Sequence, residues 1–359
     1  MMMWYENESY DPVILCSKRV SVRNVLDFKF VDRMTDTEGV TFRNAVDAIF
    51  EGFDGSENFL SYDLPNEKNT ITEKFTRNGI ITPDGRIWKN AEMYYSDEKG
   101  VYVTINVDDH IRIIDFIKGL PENFDRGLEN YLYEKIFAMY DVAKDKSGNL
   151  LSSCIDEAGS GCVYSTLLHL PIFETMGNEF NKKRREFAEI GISMAEIVAR
   201  NPLQSFGLQG FYNISFSPVF GKEESQLQKF IELCSEIAKF EVENRKFALG
   251  NKASSVLDDI CKAFGYLSGA LMLNYSEAIA LLSRIKLGYD LGLCPTIKPE
   301  IFLKLIFETT DPCILEKIIA ENPLFPVDVK DENQKIEWYR CKIFKDIFSE
   351  GVLYDKRFF

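Results

Sequence analysis

The sequence predicts a mixed domain of the α+β or α/β type, followed by a smaller region that is almost entirely helical. Residues 100–107 alternate at the period of a strand. Residues 223–247 have the spacing of a long amphipathic helix. A short polar stretch, 250–255, then separates this part from a region where apolar residues recur at helical spacing. We therefore predict one domain at residues 1–250 and a second at 251–359.

Helical segments can be placed in both domains. In the first, the pattern predicts helices at Tyr131–Val142 and Phe187–Ala199, the latter ended by Asn201-Pro202. In the second, prolines lie at the joints between helices, where a missing N–H is tolerated. The helices predicted there are Val256–Leu267, Tyr275–Leu287, Pro299–Phe307, Cys313–Ala320 and Glu332–Phe348.

Composition limits the class of function. The 359 residues carry a formal net charge of −14, which repels phosphate backbones and anionic lipids. We therefore expect neither a nucleic-acid nor a membrane partner. No run approaches the roughly 18–20 apolar residues that span a bilayer, and the first residues lack the pattern of a signal peptide. These features predict a cytoplasmic protein.

The residues that usually hold metals or nucleotides are sparse. The eight cysteines are scattered and there are only two histidines, so neither a disulfide framework nor a zinc cluster is expected. No metal-ligating residue is predicted. The sequence also has no Walker A motif and no G-x-G-x-x-G motif. Nucleotide chemistry would therefore need a fold that holds phosphate by other means.

Several blocks occur in the order found in bacterial protein-arginine kinases and in the related arginine and creatine kinases. Residues 13–24 (VILCSKRVSVRN) resemble V-x-L-S-S-R-I-R-L-A-R-N, and residues 106–113 (NVDDHIRI) are similar to N-E-E-D-H-[IL]-R-I. Residues 151–171 (LSSCIDEAGSGCVYSTLLHLP) follow L-T-[SA]-C-P-T-N-x-G-T-G-x-R-A-S-x-x-L-H-L-P. Residues 263–267 (AFGYL) resemble S-Y-G-I-L, and residues 281–292 (LLSRIKLGYDLG) resemble L-L-S-D-[LV]-R-L-G-x-D-L-G.

By these blocks the chain is identified as a divergent member of the ATP:guanidino phosphotransferase family, most similar to the bacterial protein-arginine kinases. The resemblance implies an α+β fold in which an antiparallel sheet is flanked by helices and followed by a small all-helical domain. It also implies transfer of the γ-phosphoryl group of ATP, with Mg²⁺, to a guanidinium nitrogen. Catalysis of that kind depends on positioning and charge neutralisation, which arginines provide through their planar fork of donors.

The resemblance assigns the site residues. The catalytic positions are Asp108, where the family has a glutamate, and Cys154, in the place of its reactive cysteine. The positions implied to bind the nucleotide are Ser17, Lys18, Arg19 and Arg112. Two interpretations stay open for the catalytic positions: Cys154 is a substrate-orienting thiol or a buried remnant, and Asp108 is a catalytic carboxylate or the cap of a strand end.

Other positions depart from the family. Three of its arginines fall on Val20, Val163 and Gln209, and its second guanidinium-binding carboxylate falls on Ile214. A hydrogen bond to a charged group contributes about 1.5–3 kcal/mol, so these three losses would remove roughly 4.5–9 kcal/mol. We therefore expect ATP binding and phosphoryl transfer to be severely weakened or absent. The other family positions that are kept are Arg23, Asn106, Asp109 and His110.

Two functional hypotheses follow from these departures. The first is a catalytically weak or inactive kinase that works through protein contacts. Its partners, by resemblance, would be a protein quality-control unfoldase, its adaptor or an active kinase paralogue. The alternative is an active protein-arginine kinase with a rebuilt phosphate clamp, to which Arg19 or Lys222 could contribute. A phosphagen kinase for free arginine comes third, because we do not expect the extra N-terminal domain of those enzymes here.

The C-terminal domain raises two further expectations. Protein-arginine kinases carry an R-D-x-x-R-A motif that recognises phosphoarginine, and residues 336–341 match it best. The match keeps an acid, Glu337, and the second arginine, Arg340, but loses the first arginine, so a pocket and an exposed helix face both remain open. The aromatic-rich tail, 344–359, is a candidate surface for a homodimer.

Overall fold

The computed structural model describes residues 3–6, 9–82, 87–198, 210–251, 253–293 and 297–348. Its strands are β1 (Ile14–Arg23), β2 (Leu60–Asp63), β3 (Glu92–Ser96), β4 (Val101–Ile105), β5 (Ile111–Lys118), β6 (Cys162–His169), β7 (Ile192–Glu196) and β8 (Phe211–Phe216). They form a sheet with the order β2-β3-β4-β5-β1-β6-β8-β7. The pairs β2–β3, β3–β4, β4–β5 and β1–β5 are all antiparallel, as the resemblance implied.

Along the chain, helices alternate with the strands of the sheet, and the described part of the C-terminal region consists mainly of helices. Those of the first part are α1 (Asp36–Glu51), α2 (Asn69–Arg77), α3 (Gly127–Phe137), α4 (Pro171–Thr175), α5 (Asn178–Glu189) and α6 (Glu223–Asn251). Those that follow are α7 (Ala253–Gly269), α8 (Tyr275–Asp290), α9 (Glu300–Glu308), α10 (Asp311–Glu321) and α11 (Glu332–Phe348). The expected α+β class and the predicted helical C-terminal region are therefore confirmed.

The residues that begin two of these helices explain where they start. At α1, Thr35 accepts a hydrogen bond from the backbone of Glu38, and the Glu38 side chain bonds back to Thr35. At α8, Asn274 and Glu277 make the same reciprocal pair. Such a capping box satisfies backbone donors that a helix leaves unpaired at its first turn.

Contacts divide the chain into two compact units. Unit 1 consists of residues 1–7, 16–166 and 215–232, and unit 2 of residues 8–15, 167–214 and 233–359. This division by contacts does not follow the predicted boundary near residue 250, which stays a prediction.

The core of unit 1 lies between helices and one face of the sheet. Strands β4 and β5 contribute Val103, Ile105, Ile111 and Ile113, and helices α1 and α3 cover them with a second set of apolar side chains: Phe42, Val46, Phe50, Leu132 and Ile136. Because side chains alternate along a strand, the residues between these point to the other side of the sheet. We call the first side the helix-covered face.

In unit 2, the core is built between helices. Helix α8 is buried along most of its length, from Ala278 to Gly288. A further cluster joins Ile314 of α10 to Ile336 and Tyr339 of α11. Among the described residues, no helix is both long and apolar enough to cross a membrane.

The helix predicted at residues 187–199 was wrong except at its first three residues. Helix α5 ends at Glu189, and residues 192–196 form strand β7. Gly191 has φ +78°, a conformation that glycine adopts without a steric penalty and that ends the helix. Beyond it, Ile192 and Met194 are buried while their neighbours are exposed, which is the period of a strand.

Another predicted helix is displaced by about one turn. Helix α3 covers residues 127–137 instead of 131–142. Just before it begins, the carboxylate of Asp125 accepts a hydrogen bond from the backbone N–H of Gly127 at 2.9 Å. The predicted helix end at residues 199–202 and the tail at 349–359 lie outside the described residues.

Candidate functional site

The register of β1 and β5 decides which of the predicted site residues share a side of the sheet. Lys18 is opposite Phe116, and Val22 is opposite Arg112. Paired residues project to the same face, and side chains along a strand alternate. Lys18 and Arg112 therefore lie on one face, which we call the Arg112 face. Arg19 lies on the helix-covered face.

Arg112 is buried and paired with an acidic residue that the sequence motifs did not single out. Its Nη1 donates to Glu157 Oε2 at 2.8 Å, and its Nη2 lies 2.5 Å from Glu157 Oε1. The side chains of Arg112 and Glu157 are only 7% and 5% exposed. This is the two-point geometry by which an arginine holds a carboxylate or a phosphate.

Lys18 is the second cation of the Arg112 face. Its Nζ donates to the carbonyl oxygen of Gly79 at 3.3 Å. Burial lowers the pKa of Lys18 to about 8, with Arg112 acting in the same direction and Glu157 opposing it. The positive charge of Arg112 therefore disfavours the charged form of Lys18 on the same face.

The turn between β4 and β5 positions the acidic residues. Asn106 has φ +53°, and its side chain donates to the carbonyl oxygens of Gly39 at 3.0 Å and Asn90 at 3.2 Å. Asparagine tolerates this left-handed conformation better than most side chains do. Asp108, which follows, is half-buried and accepts a 3.4 Å hydrogen bond from the backbone N–H of Thr82. Burial raises the pKa of Asp108, while Thr82 and Arg112 oppose the shift.

Asp109 is a structural carboxylate in this arrangement. It is fully buried and accepts hydrogen bonds from Asn24 Nδ2 at 2.5 Å and from the backbone and hydroxyl of Ser153 at 2.8 Å each. These bonds tie the segment that carries Cys154 and Glu157 to the turn before β5.

Cys154 lies in that segment. It is half-buried, and its backbone N–H donates to Ser152 Oγ at 3.2 Å. Burial raises the pKa of the Cys154 thiol, and the negative charges of Glu157 and Asp156 add to the shift while Arg112 opposes it. A thiol with a raised pKa is a poor nucleophile at neutral pH. The charges of Arg112 and Glu157 nevertheless both act on the Cys154 thiol.

His110 provides a test by pH. Its Nδ1 lies 2.8 Å from Asn24 Oδ1, and burial lowers its pKa from 6.5 to about 4. Below pH 6.5 His110 therefore binds a proton in the unfolded chain but not in the folded one. The free energy of unfolding then falls as the pH is lowered to about 4, by up to about 1.4 kcal/mol per pH unit. Between pH 6.5 and 5, urea unfolding should show the wild type losing about 1–2 kcal/mol more than His110→Gln. Equal losses would contradict this assignment, since contributions from other groups cancel in the comparison.

Arg19 and Ser17 are not brought to the Arg112 face. Arg19 Nη2 donates to Glu129 Oε1 at 2.8 Å, and its Nη1 contacts Glu129 Oε2. Although burial opposes the charge, this pairing raises the pKa of Arg19. Ser17 donates to the carbonyl oxygen of Gly119 at 2.8 Å and contacts Thr166. The assignment of these two residues to the nucleotide stays a prediction, and the geometry does not favour it.

The uncharged residues that stand where the family has charged ones add no charge to the Arg112 face among the described residues. Val20 lies between Lys18 and Val22 on the Arg112 face and is buried. Tyr164 contacts Arg19 on the helix-covered face at 3.3 Å, so its neighbour Val163 projects toward the Arg112 face. Ile214 is buried, and Gln209 lies outside the described residues.

The described side chains of this site do not fit a magnesium–triphosphate group. Lys18 and Arg112 supply two positive charges, whereas Asp108, Asp109 and Glu157 supply up to three negative charges nearby. A polyanion is repelled by such a balance. Among the described residues, no group of three or more His, Cys, Asp or Glu side chains is arranged to hold a metal ion.

The motif match in α11 has a structural explanation. Arg340 is fully buried; its Nε donates to Thr309 O at 2.7 Å, its Nη1 donates to Leu273 O at 2.9 Å, and its Nη2 pairs with Asp311. These bonds connect α11 to the residue before the cap of α8, to the end of α9 and to the start of α10. The donors of Arg340 are thus used within unit 2, which does not favour a phosphoarginine pocket at this residue.

Glu157 is the residue that sequence reasoning missed. Its signal was present: counting from Cys154, the family block has asparagine three residues later, and this chain has a carboxylate there. A carboxylate that replaces an uncharged family residue, in a chain that keeps Arg112, is a candidate partner for that arginine. Only the folded loop shows that the two meet.

Comparisons with known proteins identify the family of the chain. The model of the ATP:guanido phosphotransferase C-terminal catalytic domain matches residues 41–244, and the model of the protein-arginine kinase McsB C-terminal domain matches residues 253–331. The first covers more than half of the chain. The chain therefore belongs to the ATP:guanido phosphotransferase family. Within that family it is protein-arginine kinase-like.

Individual relatives support the statement that the chain is protein-arginine kinase-like. A protein-arginine kinase of Clostridium kluyveri is 26% identical over 328 residues, which cover 89% of this chain and 91% of the relative. One from Clostridium acetobutylicum is 24% identical over 345 residues, covering 94% and 98%.

Solved structures show the same fold. Lombricine kinase matches with a TM-score of 0.52 and 17% identity, covering 65% of this chain and 67% of that one. The duplicated taurocyamine kinase of Schistosoma mansoni matches with a TM-score of 0.51 and 18% identity, covering 67% of this chain and 33% of that one. The predicted family and fold are confirmed.

Proposed function

We propose that this chain is a protein-arginine kinase-like protein with a degraded phosphate-binding site, catalytically weak or inactive, which acts through protein contacts. The observation that carries the proposal is the ion pair of Arg112 with Glu157. Among the family arginines in the described residues, Arg112 lies on the same face of the sheet as Lys18, and both of its terminal nitrogens hold a carboxylate.

The surrounding residues support the same conclusion. Phosphoryl transfer requires preorganised positive charge around the transferred group. Here Val20 and Val163 supply none on the Arg112 face, and Arg19 is paired on the opposite face. The carboxylates of Asp108 and Glu157 add negative charge where the family's chemistry needs an electropositive site.

A role through contacts is consistent with the surface of unit 2. Leu324 and Val327 are 95% and 93% exposed in the segment between α10 and α11. Exposed apolar residues close together are typical of interaction surfaces. We propose partners within protein quality control in the cytoplasm, such as an unfoldase, its adaptor or an active kinase paralogue, and a homodimer through the C-terminal region as a further contact.

Titration with Mg·ATP tests the proposal. We expect calorimetry to show no binding up to millimolar nucleotide, because the remaining cations do not offset the local carboxylates. No transfer of phosphate to arginine side chains of a protein substrate should be detected. The protein-arginine kinase of Clostridium kluyveri, assayed in parallel, is the positive control for both measurements.

One observation favours the alternative of an active kinase. Lys18, Asp108 and Cys154, which the family pattern assigns to one site, each interact electrostatically with Arg112. Micromolar Mg·ATP binding together with arginine phosphorylation that Asp108→Asn abolishes would therefore overturn our proposal. Val163→Arg is a gain-of-charge variant, expected to increase nucleotide binding if the missing arginines cause the defect.

A further inference from the structure

The pair between Glu157 and Arg112 is made by the same atoms that an anionic ligand would use. A guanidinium holds a carboxylate and a phosphate through two parallel N–H donors, so one ligand excludes the other. Arg112 Nε, which is buried, has no hydrogen-bond partner among the described residues. The pair therefore occupies the terminal nitrogens of Arg112 without satisfying all its donors.

The segment that carries Glu157 is closed at its base and is hydrogen-bonded to Asp109 through Ser152. Leu150 and Gly159 exchange backbone hydrogen bonds of 2.8 and 2.9 Å. Within this loop, the N–H of Glu157 donates to the carbonyl oxygen of Cys154 at 3.1 Å, forming a turn. Ser152 Oγ lies 3.3 Å from Glu157 Oε2 and 3.4 Å from Asp109 Oδ2. Residues 150–159, which we call the Glu157 loop, thus have a local geometry that directs the carboxylate to Arg112.

Glu157 also acts on the second cation. It raises the pKa of Lys18 against the effects of burial and Arg112, so its charge is felt by both positive groups. Burial raises the pKa of Glu157 itself, and Arg112 is the strongest opposing influence. The carboxylate is therefore held at a cost in desolvation, which the ion pair offsets only in part.

We infer that Glu157 is a built-in competitor for phosphate-type anions, and that a polyphosphate binds at Arg112 and Lys18 only when the Glu157 loop releases the guanidinium. This inference rests on the proposed function and gives it a specific cause. The weak site is then a blocked anion site, in addition to lacking the family's other arginines.

Removing the charge of Glu157 tests the inference. Binding of inorganic pyrophosphate and of ATP would be measured by calorimetry for the wild type, Glu157→Gln and Glu157→Ala. We expect both variants to bind pyrophosphate at least about tenfold more tightly than the wild type, equivalent to about 1.4 kcal/mol. Asp156→Asn removes the same charge from the exposed neighbouring residue and should produce much less change. Adding Arg112→Met to Glu157→Gln should abolish the gain.

The outcomes separate this inference from the proposed function. If neither variant binds pyrophosphate or ATP more tightly than the wild type, the competitor role is wrong, although a weak kinase remains. If the wild type itself binds Mg·ATP at micromolar concentration, the proposed function fails first.

A measurement on the wild type serves if the variants do not fold. Cys154 is in the Glu157 loop, and its alkylation can be followed by peptide mass spectrometry. High pyrophosphate should accelerate the alkylation of Cys154, while the half-buried Cys261 should be unaffected. A rate for Cys154 that pyrophosphate leaves unchanged would contradict release of the loop.

Discussion

Replacing Glu129 by alanine is expected to lower the free energy of unfolding by about 3–5 kcal/mol, because it leaves the Arg19 guanidinium buried without its main partner. The side chains of Arg19 and Glu129 are 1% and 2% exposed. Asp115 is 3.6 Å from Arg19 and retains part of the interaction, which places the loss toward the lower end of the range. Urea denaturation monitored by circular dichroism measures it.

The same carboxylate offers a matched control. Arg126 also contacts Glu129, at 3.2 Å, but its side chain is 43% exposed. Arg126→Ala should therefore cost no more than about 1 kcal/mol. The double variant Arg19→Met/Glu129→Leu should recover most of the stability lost in Glu129→Ala, since apolar residues often replace a buried pair without loss. If Glu129→Ala costs no more than Arg126→Ala, then Arg19 is not held as a structural charge by Glu129.

Replacing Asp290 by alanine is expected to destabilise unit 2 by a similar amount, about 3–5 kcal/mol. Asp290 Oδ2 accepts from Arg245 Nη1 at 2.7 Å and from Lys286 Nζ at 2.9 Å, and the Tyr10 hydroxyl also donates to Asp290. Burial disfavours the charge, but these cations and His169 hold the pKa of Asp290 below its ordinary value. The variant would leave two buried cations beside one another.

Thermal and urea unfolding of Asp290→Ala, Asp290→Asn and Asp258→Ala would test this prediction. Asp290→Asn keeps a hydrogen-bonding group and should lose less stability than the alanine variant. Asp258 makes an ion pair with Lys262 on the surface of α7, and its removal should leave the midpoint unchanged within error. A midpoint for Asp290→Ala equal to that of Asp258→Ala would show that the buried cluster contributes nothing.

The contacts around Asp290 also explain the family block at residues 281–292, which has no part in the candidate functional site. Arg245 Nη2 donates to the backbone carbonyl of His169 at 2.8 Å, and Lys286 Nζ donates to that of Pro12 at 2.8 Å. The family block at residues 281–292 therefore serves to connect α6 and α8 to the end of β6 and to the N-terminal segment. Lys286 and Asp290 of this block are structural charges in this chain.

Local sequence patterns were sufficient for much of the fold. Strand β4 and helices α7 to α11 followed from periodicity, because alternation and three- to four-residue spacing are local properties. Strand β7 was not predicted, because its alternation extends over only five residues and directly follows a segment with helical spacing.

The sequence by itself determined the family, the α+β class and the positions of Lys18, Asp108, Arg112 and Cys154 in the motifs. What only the tertiary structure decided was which charges meet. Because a step of one residue along β1 moves a side chain to the other face, Arg19 pairs with Glu129 and not with a ligand beside Lys18. Arg112 meets Glu157 because a loop 45 residues away in sequence folds over the strand. Such contacts depend on long-range packing, which local spacing does not encode.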